Sequence, residues 1–203
     1  GYQVYKEVCS GCHSMRLLSY RNLSEPGGPE FTVQEVKNIA SNDEVTDGPD
    51  EQGEMFTRPG RPSDKFVSPY PNVQAATAAN GGAYPPDMSV LVKSRKGGAD
   101  YIYSVLMGYT EPPAGMKLDD GVYYNKYMEG NKIKMSQPLL DDIVSYADGT
   151  KATEAQMAKD VTTFLTWAAE PHLEARHKLG LRVIIFLLIL TVLVYFSMKR
   201  IWS

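Results

Sequence analysis

The spacing of apolar positions predicts short helices at both ends of the first 171 residues. Tyr2, Tyr5, Cys9 and Cys12 recur at three- and four-residue intervals, which predicts a helix over residues 1–17. Near the other end, Thr153-Glu154-Ala155-Gln156 has the form of a capping box and precedes an apolar stripe that Pro171 ends. The stripe consists of Met157, Val161, Phe164, Leu165 and Ala168. We expect this helix to pack across the first one.

Turn residues divide the intervening chain into smaller elements. The pattern predicts a helix from Phe31 to Ala40, with Thr32 and Glu35 as a capping box, and a short helix over Val73 to Ala79. It predicts a helix after Asp87, with Met88, Leu91 and Val92 facing inward, and a helix from Tyr101 to Met107 capped by Asp100. Residues 57–72 contain too many prolines for regular structure, 121–127 suit a short strand, and 133–140 form a loop.

The last apolar run is long enough to span a membrane. From Leu179 to Met198 the only polar residues are Arg182, Thr191 and Ser197, and twenty residues match a hydrocarbon core about 30 Å thick. A buried helix of a soluble protein would normally carry a polar face, and this one has none. The flanking cations do not decide its orientation, because they lie on both sides.

Composition narrows the class of protein only modestly. The 203 residues are 43% hydrophobic and 22% charged, and the net charge of −3 argues against a nucleic-acid partner. Negative charge is concentrated between Asn42 and Glu54, which contains no Lys or Arg. This stretch suits either a solvated loop or an acidic surface that docks a basic partner. The candidate docking residues are Asp43, Glu44, Asp47, Asp50 and Glu51.

The strongest chemical signal is Cys9-Ser10-Gly11-Cys12-His13, the C-x-x-C-H sequence that attaches a c-type haem. The two thiols add across two vinyl groups of one porphyrin, and the adjacent His13 then serves as the proximal iron ligand. Covalent haem attachment takes place outside the cytoplasm. We therefore expect the haem domain to lie outside and a short tail, from Lys199 to Ser203, to lie inside. We also expect that a leader preceding residue 1 was removed by processing or truncation.

Two other uses of a C-x-x-C pair fit the sequence less well. A zinc site would have to combine the cysteines with His172 and His177, but 159 residues separate Cys12 from His172, far more than in a zinc finger. A redox dithiol would follow a strand in a βαβ unit, and no strand precedes Cys9. Both cysteines are consumed by the haem in our interpretation, so no disulfide is expected.

The residues alone leave several candidates for the second axial ligand. A haem with His and Met ligands has no open site and suits electron transfer. No third His lies in the soluble part, so a Met is the natural candidate. Position excludes Met15, Met157 and Met198, and the remaining candidates are Met55, Met88, Met107, Met116, Met128 and Met135. Met135 fits best, because it lies in a proline-containing loop before the last soluble helix.

An ordered set of motifs along essentially the whole chain resembles the cytochrome c1 family, the haem subunit of the cytochrome bc1 complex (ubiquinol–cytochrome c oxidoreductase). The matching segments include the haem motif, Tyr84-Pro85-Pro86-Asp87, Gly108-Tyr109-Thr110-Glu111-Pro112-Pro113, Trp167-Ala168-Ala169-Glu170-Pro171 and the C-terminal span. Three more are Arg58-Pro59-Gly60, Pro69-Tyr70-Pro71-Asn72 and Ala78-Ala79-Asn80-Gly81-Gly82-Ala83. The resemblance implies a mainly α fold: a c-type haem domain with long loops over residues 1–175, and a transmembrane anchor with a cytoplasmic tail over 176–203.

The same resemblance implies a set of haem-binding residues. Cys9 and Cys12 would hold one haem c covalently, and His13 and Met135 would ligate its iron. Pro85 and Pro86 would line the haem, and Arg95 would lie near a propionate, unless it is simply an exposed cation at a helix end. The remaining pocket residues implied by the resemblance are Asn80, Ala83, Leu91, Tyr101, Leu106, Ile133 and Pro138.

By resemblance the chain is an electron-transfer subunit and not an enzyme on its own. It would pass one electron from a Rieske iron–sulfur protein to cytochrome c, beside cytochrome b, in a dimeric complex of the bacterial or mitochondrial inner membrane. Two alternatives remain open: a stand-alone membrane-tethered cytochrome c that donates to an oxidase, and a haem enzyme such as a peroxidase. The second would need an open iron site and a distal acid–base residue, for which the soluble core offers no spare His.

Overall fold

The computed structural model describes residues 1–202, so Ser203, the last residue of the predicted tail, lies outside the described residues. The chain forms two compact units, the first from Gly1 to Ala169 and the second from Glu170 onward. The predicted boundary after residue 175, between a haem domain and a membrane anchor, stays a prediction. Helices and long loops dominate the first unit, and the second is built around one long helix. The predicted mainly α fold class is confirmed.

The haem motif begins in a helix and leaves it. Helix α1 (Tyr2–Val4) continues as a π-helical segment (Tyr5–Cys9), and the chain then turns, with the backbone N–H groups of Cys12 and His13 both donating to the Cys9 carbonyl. The predicted continuation of the helix to residue 17 is therefore wrong. The reason lies in the partners of the next residues, because the Ser14 carbonyl accepts from the Met88 N–H and cannot extend a helix.

The acidic stretch is partly ordered as a strand. Strand β1 (Glu44–Asp47) pairs antiparallel with β2 (Phe56–Pro59), so the prediction that regular structure is absent from residue 57 onward is wrong at its start. Pro59 is tolerated because it ends an edge strand, where its missing N–H breaks no ladder. The Arg58 guanidinium binds the carboxylates of Asp47 and Asp64 and fastens this ribbon to the following loop.

Two of the predicted short helices form as expected. Helix α2 (Val33–Ser41) starts at a complete capping box: the Glu35 N–H donates to the Thr32 hydroxyl at 3.2 Å, and the Thr32 N–H donates to the Glu35 carboxylate at 2.8 Å. Helix α3 (Val73–Ala79) is closed by a glycine turn in which the Gly82 N–H donates to the Thr77 carbonyl. Gly81 has a φ of +59°, a conformation that glycine adopts without steric cost.

The predicted helix after Asp87 is replaced by a run of turns over residues 88–96. The Asp87 carboxylate accepts from the Ser89 N–H, and the Met88 N–H donates to the Ser14 carbonyl. These groups therefore already have hydrogen-bond partners outside a helix. Met88 and Leu91 are nevertheless buried, as predicted. Helix α4 (Gly98–Met107) follows, and Gly97, with a φ of +90°, precedes its first residue in place of the predicted cap at Asp100.

A small ribbon and one buried amide organise the region before Met135. Strand β3 (Tyr123–Tyr124) pairs antiparallel with β4 (Lys132–Ile133), which confirms a strand within 121–127 but shortens it. Asn125 is fully buried between them: its amide donates to the Val105 carbonyl at 2.7 Å, and its oxygen accepts from the N–H groups of Tyr127 and Met128. The ribbon is thereby fastened to the end of α4.

The absence of a Cβ at Gly108 leaves room for the Asn125 side chain, so we expect Gly108→Ala to destabilise the first unit. An added Cβ would lie 2.5 Å from the Asn125 Oδ1 and 2.9 Å from the Ser104 carbonyl oxygen. Overpacking of this kind costs about 1–3 kcal/mol. Chemical denaturation of the detergent-solubilised protein, followed by tryptophan fluorescence, measures the loss. An unchanged denaturation midpoint would contradict the packing described for Gly108.

The last soluble helix supplies much of the core. Helix α5 (Glu154–Ala169) buries the predicted stripe, packs against α1 and α4, and ends before Pro171. Its Gln156 N–H donates to the Thr153 hydroxyl as expected, but the Gln156 side chain donates to Asp160 instead of returning to the cap. In the second unit, α6 (Leu173–Ile201) is long and apolar enough to cross a membrane, which agrees with the predicted span.

Candidate haem site

The two thiols of the motif lie in different environments. Cys9 is 8% exposed in the main hydrophobic cluster, whereas Cys12 is exposed at the turn. Burial, with a smaller contribution from Cys12, raises the pKa of the Cys9 thiol to about 12. Neither thiol is in a disulfide. Neither sulfur is therefore taken up by another bond, and burial keeps the Cys9 thiol protonated.

The imidazole of His13 is oriented by a backbone carbonyl. Its Nδ1 lies 2.8 Å from the carbonyl oxygen of Pro86. A carbonyl only accepts, so this bond requires the proton on Nδ1 and leaves the lone pair of Nε2 for a metal. Burial lowers the pKa of His13, and this effect exceeds the opposing effects of the Pro86 bond and the Asp87 charge. The ring is thus held in its neutral, metal-binding form.

Asp87 joins the Pro85-Pro86 turn to the residues that follow His13. Burial alone would raise the pKa of this carboxyl, but hydrogen bonds from the Arg16 backbone, Ser89 and Ser14 outweigh burial and hold it below its usual range. The carboxylate is consequently charged at neutral pH. The sequence prediction assigned Asp87 only as a helix cap, so its connection to the motif was missed. The sequence signal that could have indicated this connection is the presence of two polar residues, Ser14 and Arg16, shortly after the haem motif.

Met135 lies half-buried in a loop held at two points. The Tyr109 hydroxyl donates to the Met135 carbonyl at 3.0 Å, and the neighbouring Lys134 ammonium donates to the Gly81 carbonyl at 2.8 Å. The second bond brings the loop beside the turn that contains Asn80 and Ala83, two of the predicted pocket residues. The role of Met135 as an iron ligand stays a prediction.

The other predicted pocket residues differ in burial. Leu91 and Leu106 belong to the same hydrophobic cluster as Cys9. Half-buried positions, which are the ones able to line an open pocket, are Asn80, Ala83, Pro85, Pro86, Tyr101, Ile133 and Pro138. Arg95 is exposed and its guanidinium donates to the carbonyl and hydroxyl of Ser94. Its assignment to a propionate therefore also stays a prediction.

A cleft of about 250 Å³ adjoins the motif at Cys12. Pro85 and Tyr84 form part of its wall, and the residues before and within α3 form another part, namely Pro69, Tyr70, Pro71, Asn72, Val73 and Ala76. The sequence prediction placed none of this second group in the pocket wall. Their contribution arises because the proline-rich loop folds back onto the motif, a long-range contact that local patterns do not report.

Two of the candidate docking carboxylates are held in internal ion pairs. Asp43 binds the Lys6 ammonium at 2.7 Å and accepts from the Tyr20 hydroxyl at 2.6 Å, and Asp47 binds Arg58. Asp50 caps a turn by accepting from the N–H groups of Gln52 and Glu54. Glu44 and Glu51 are exposed and carry the charge most accessible to a partner.

The side chains present fit a covalently attached haem. Two free thiols and a neutral imidazole with Nε2 available are the donor set that a c-type haem requires. Leu91 and Leu106 lie in the same hydrophobic cluster as Cys9, and their place in a haem pocket stays a prediction. Among residues 1–202, no three His, Cys, Asp or Glu side chains are grouped closely enough to hold a metal ion.

Comparison with known proteins agrees with this chemistry. The model of the cytochrome c1 family matches residues 1–203. Among curated relatives, the mitochondrial cytochrome c1 heme protein of Schizosaccharomyces pombe is 52% identical over 203 residues, which is all of this chain and 65% of the relative. Cytochrome c1 of Rhodospirillum rubrum is 46% identical over 218 residues, covering 79% of that relative.

A third relative is a longer chain. The cytochrome b/c1 protein of Bradyrhizobium diazoefficiens is 49% identical over 222 residues, and the match covers all of this chain but 32% of the relative. The chain thus spans about a third of this relative and about two thirds of the S. pombe protein. With the family model matched from end to end, the chain belongs to the cytochrome c1 family.

Proposed function

We propose that this chain is the haem-bearing electron-transfer subunit of a cytochrome bc1 complex. It would accept one electron from a Rieske iron–sulfur protein and deliver it to a cytochrome c. The observation that carries the proposal is the neutral His13 imidazole, fixed by the Pro86 carbonyl directly beside two free thiols. Family membership supports haem c as the cofactor, and the haem supplies the one-electron redox chemistry.

The residues of the chain bind and shield the cofactor. Cys9 and Cys12 would hold it through thioether bonds, and His13 and Met135 would occupy the two axial positions. Buried apolar walls around the haem would exclude water and lower the local dielectric constant, which tunes the reduction potential. With His13 and Met135 both bound to the iron, no coordination site would remain for a substrate, and the chain would transfer electrons without being an enzyme on its own.

Helix α6 would anchor the chain and pack against cytochrome b. Its apolar stretch is long enough to span a membrane, and Arg182, near one end, suits snorkelling to the interface. One relative is named cytochrome b/c1, which supports cytochrome b as the partner. The soluble unit would lie on the periplasmic or intermembrane-space side, and the complex would be dimeric.

Purification in mild detergent, with an optical and redox titration, tests the proposal. We expect a covalently bound haem with the spectrum of a His/Met-ligated low-spin iron, no carbon monoxide binding at neutral pH, and co-purification with a b-type cytochrome and an iron–sulfur protein. Haem that acid–acetone extracts from the chain would overturn the proposal. A covalent haem in a chain that purifies alone would favour the membrane-tethered cytochrome that donates to an oxidase.

Docking of a basic electron acceptor on the acidic stretch has a separate test. We expect the double variant Glu44→Gln/Glu51→Gln to slow electron transfer to cytochrome c a few-fold at low salt, because steering by complementary charge raises association rates about 10- to 1,000-fold. The difference from wild type should shrink at high salt. These exposed side chains are preferred over Asp43 and Asp47, whose replacement would break internal ion pairs.

A matched control removes the same charge elsewhere. Glu111→Gln/Glu129→Gln changes two exposed carboxylates outside residues 42–54, and we expect a smaller effect on the rate. Equal rates for the two double variants at every salt concentration would show that the acidic stretch has no special part in docking. Stopped-flow mixing with reduced protein measures all of these rates.

A further inference from the structure

The Asp87 carboxylate connects two chain segments. One is residues 14–17, which follow His13, and the other is residues 86–89, which begin with Pro86. The Asp87 Oδ2 accepts from the Ser14 hydroxyl at 2.8 Å, the Arg16 N–H at 3.0 Å and the Arg16 Nε at 3.3 Å. Its Oδ1 accepts from the Ser89 N–H at 2.9 Å. We call this group of Ser14, Arg16, Asp87 and Ser89 the Asp87 clasp.

Two further hydrogen bonds join the same two segments. The Met88 N–H donates to the Ser14 carbonyl at 2.8 Å, and the Leu17 N–H donates to the Ser89 hydroxyl at 3.0 Å. Ser89 is fully buried and Met88 is 8% exposed, so water does not replace these bonds easily. Neither segment lies in a regular helix or strand. Their relative position therefore depends on the clasp and these two bonds.

The clasp is adjacent in sequence to both partners of the bond that orients the candidate ligand. His13 directly precedes Ser14, and Pro86 directly precedes Asp87. Fixing Ser14 against Asp87 consequently fixes the His13 Nδ1 against the Pro86 carbonyl oxygen at 2.8 Å. A displacement of either segment would lengthen that hydrogen bond first.

We propose that Asp87 is a positioning residue for His13 that lowers the reduction potential of the haem. The inference rests on the proposed function, because it takes His13 as an iron ligand. Two effects have the same sign. A strong hydrogen bond from Nδ1 makes the ring a better electron donor to the oxidised iron, and a nearby negative charge favours the more positive oxidation state.

The variant Asp87→Asn tests the inference in the assembled membrane complex. It keeps the shape of the side chain but removes its charge and replaces one acceptor oxygen with an NH2 group that can only donate. We expect the ratio of reduced to oxidised haem at a fixed ambient potential to rise about tenfold, which for one electron corresponds to a shift of about 59 mV to a more positive potential. The magnetic resonance signature of the axial His in the oxidised protein should change as well.

Asp160→Asn is the matched control. Asp160 is also a carboxylate that accepts two side-chain hydrogen bonds, from Tyr146 and Gln156, and it belongs to α5 instead of the haem motif. We expect it to change the redox ratio less than twofold. A change in Asp87→Asn no larger than that in Asp160→Asn, with an unaltered His signature, would overturn the inference.

A second variant, Ser89→Ala, leaves the charge unchanged and so separates the effect of geometry from that of charge. It also tests the inference if the Asp87→Asn complex does not assemble. Ser89→Ala removes the acceptor of the Leu17 N–H but keeps the Asp87 carboxylate, and we expect a smaller shift in the same direction. No shift in Ser89→Ala would overturn the positioning role. These failures would leave a wild-type protein with a covalent His/Met haem, whereas failure of the proposed function would appear in the wild-type spectrum itself.

Discussion

Replacing Met135 with leucine is expected to lower the midpoint potential of the haem by on the order of 0.1 V or more, within the range of about 0.8 V that axial ligands cover. A thioether sulfur favours the reduced iron, and leucine has nearly the same volume but no donor atom. The Met135 loop should keep its shape, because its tethers are the bonds from Tyr109 to the Met135 carbonyl and from Lys134 to Gly81. Neither bond involves the thioether.

A redox titration of the Met135→Leu complex, together with its optical spectrum, measures this effect. The sulfur-to-iron charge-transfer band should disappear and the reduced protein should bind carbon monoxide. Met128→Leu is the matched control, because Met128 is also half-buried and its sulfur accepts from the Tyr101 hydroxyl at 3.4 Å. A normal potential in Met135→Leu, or a large loss in Met128→Leu, would assign the ligand to a different methionine.

The double substitution Cys9→Ala/Cys12→Ala is expected to abolish covalent haem attachment altogether. Without either thiol no thioether forms, and the candidate axial ligands alone would have to retain the cofactor. Denaturing gel electrophoresis with a haem peroxidase stain should give no signal at the position of the chain, while an antibody still detects any polypeptide that accumulates. Persistent stain on the chain would mean that the cysteines serve another purpose.

The control for this experiment removes the other residues of the zinc alternative. His172 and His177 lie at the start of the second unit, and His172→Ala/His177→Ala should retain full haem stain. Loss of the stain in this variant would revive a shared role for the histidines and cysteines. Retention of the stain would show that haem attachment does not require the H-x4-H pair.

Sequence patterns predicted best where the determining interactions are local. The capping box of Thr32 and Glu35 acts over three residues, and α2 begins there as predicted. The apolar stripe of α5 and the membrane-length run of α6 likewise needed only periodicity and length. The haem motif likewise needed only local sequence, because one short segment contains the two thiols and the imidazole, and the roles of Cys9, Cys12 and His13 stay predictions.

Prediction failed where a distant segment takes the hydrogen bonds that a local element would use. The helix from residue 1 ends at Cys9, and the one expected after Asp87 is absent, because Ser14 and Met88 bond each other across the fold. The same pairing creates the Asp87 clasp, which no pattern within either segment reveals. The aromatic and proline-rich cleft wall beside Cys12 was missed for a related reason, since its residues reach the motif only through tertiary folding.

The unequal burial of the two cysteines constrains the order of events during maturation. Cys9 lies in the core at 8% exposure, so in the finished structure a vinyl carbon could not approach its sulfur, whereas Cys12 remains reachable. A thioether bond at Cys9 would therefore have to form before the core closes around α1.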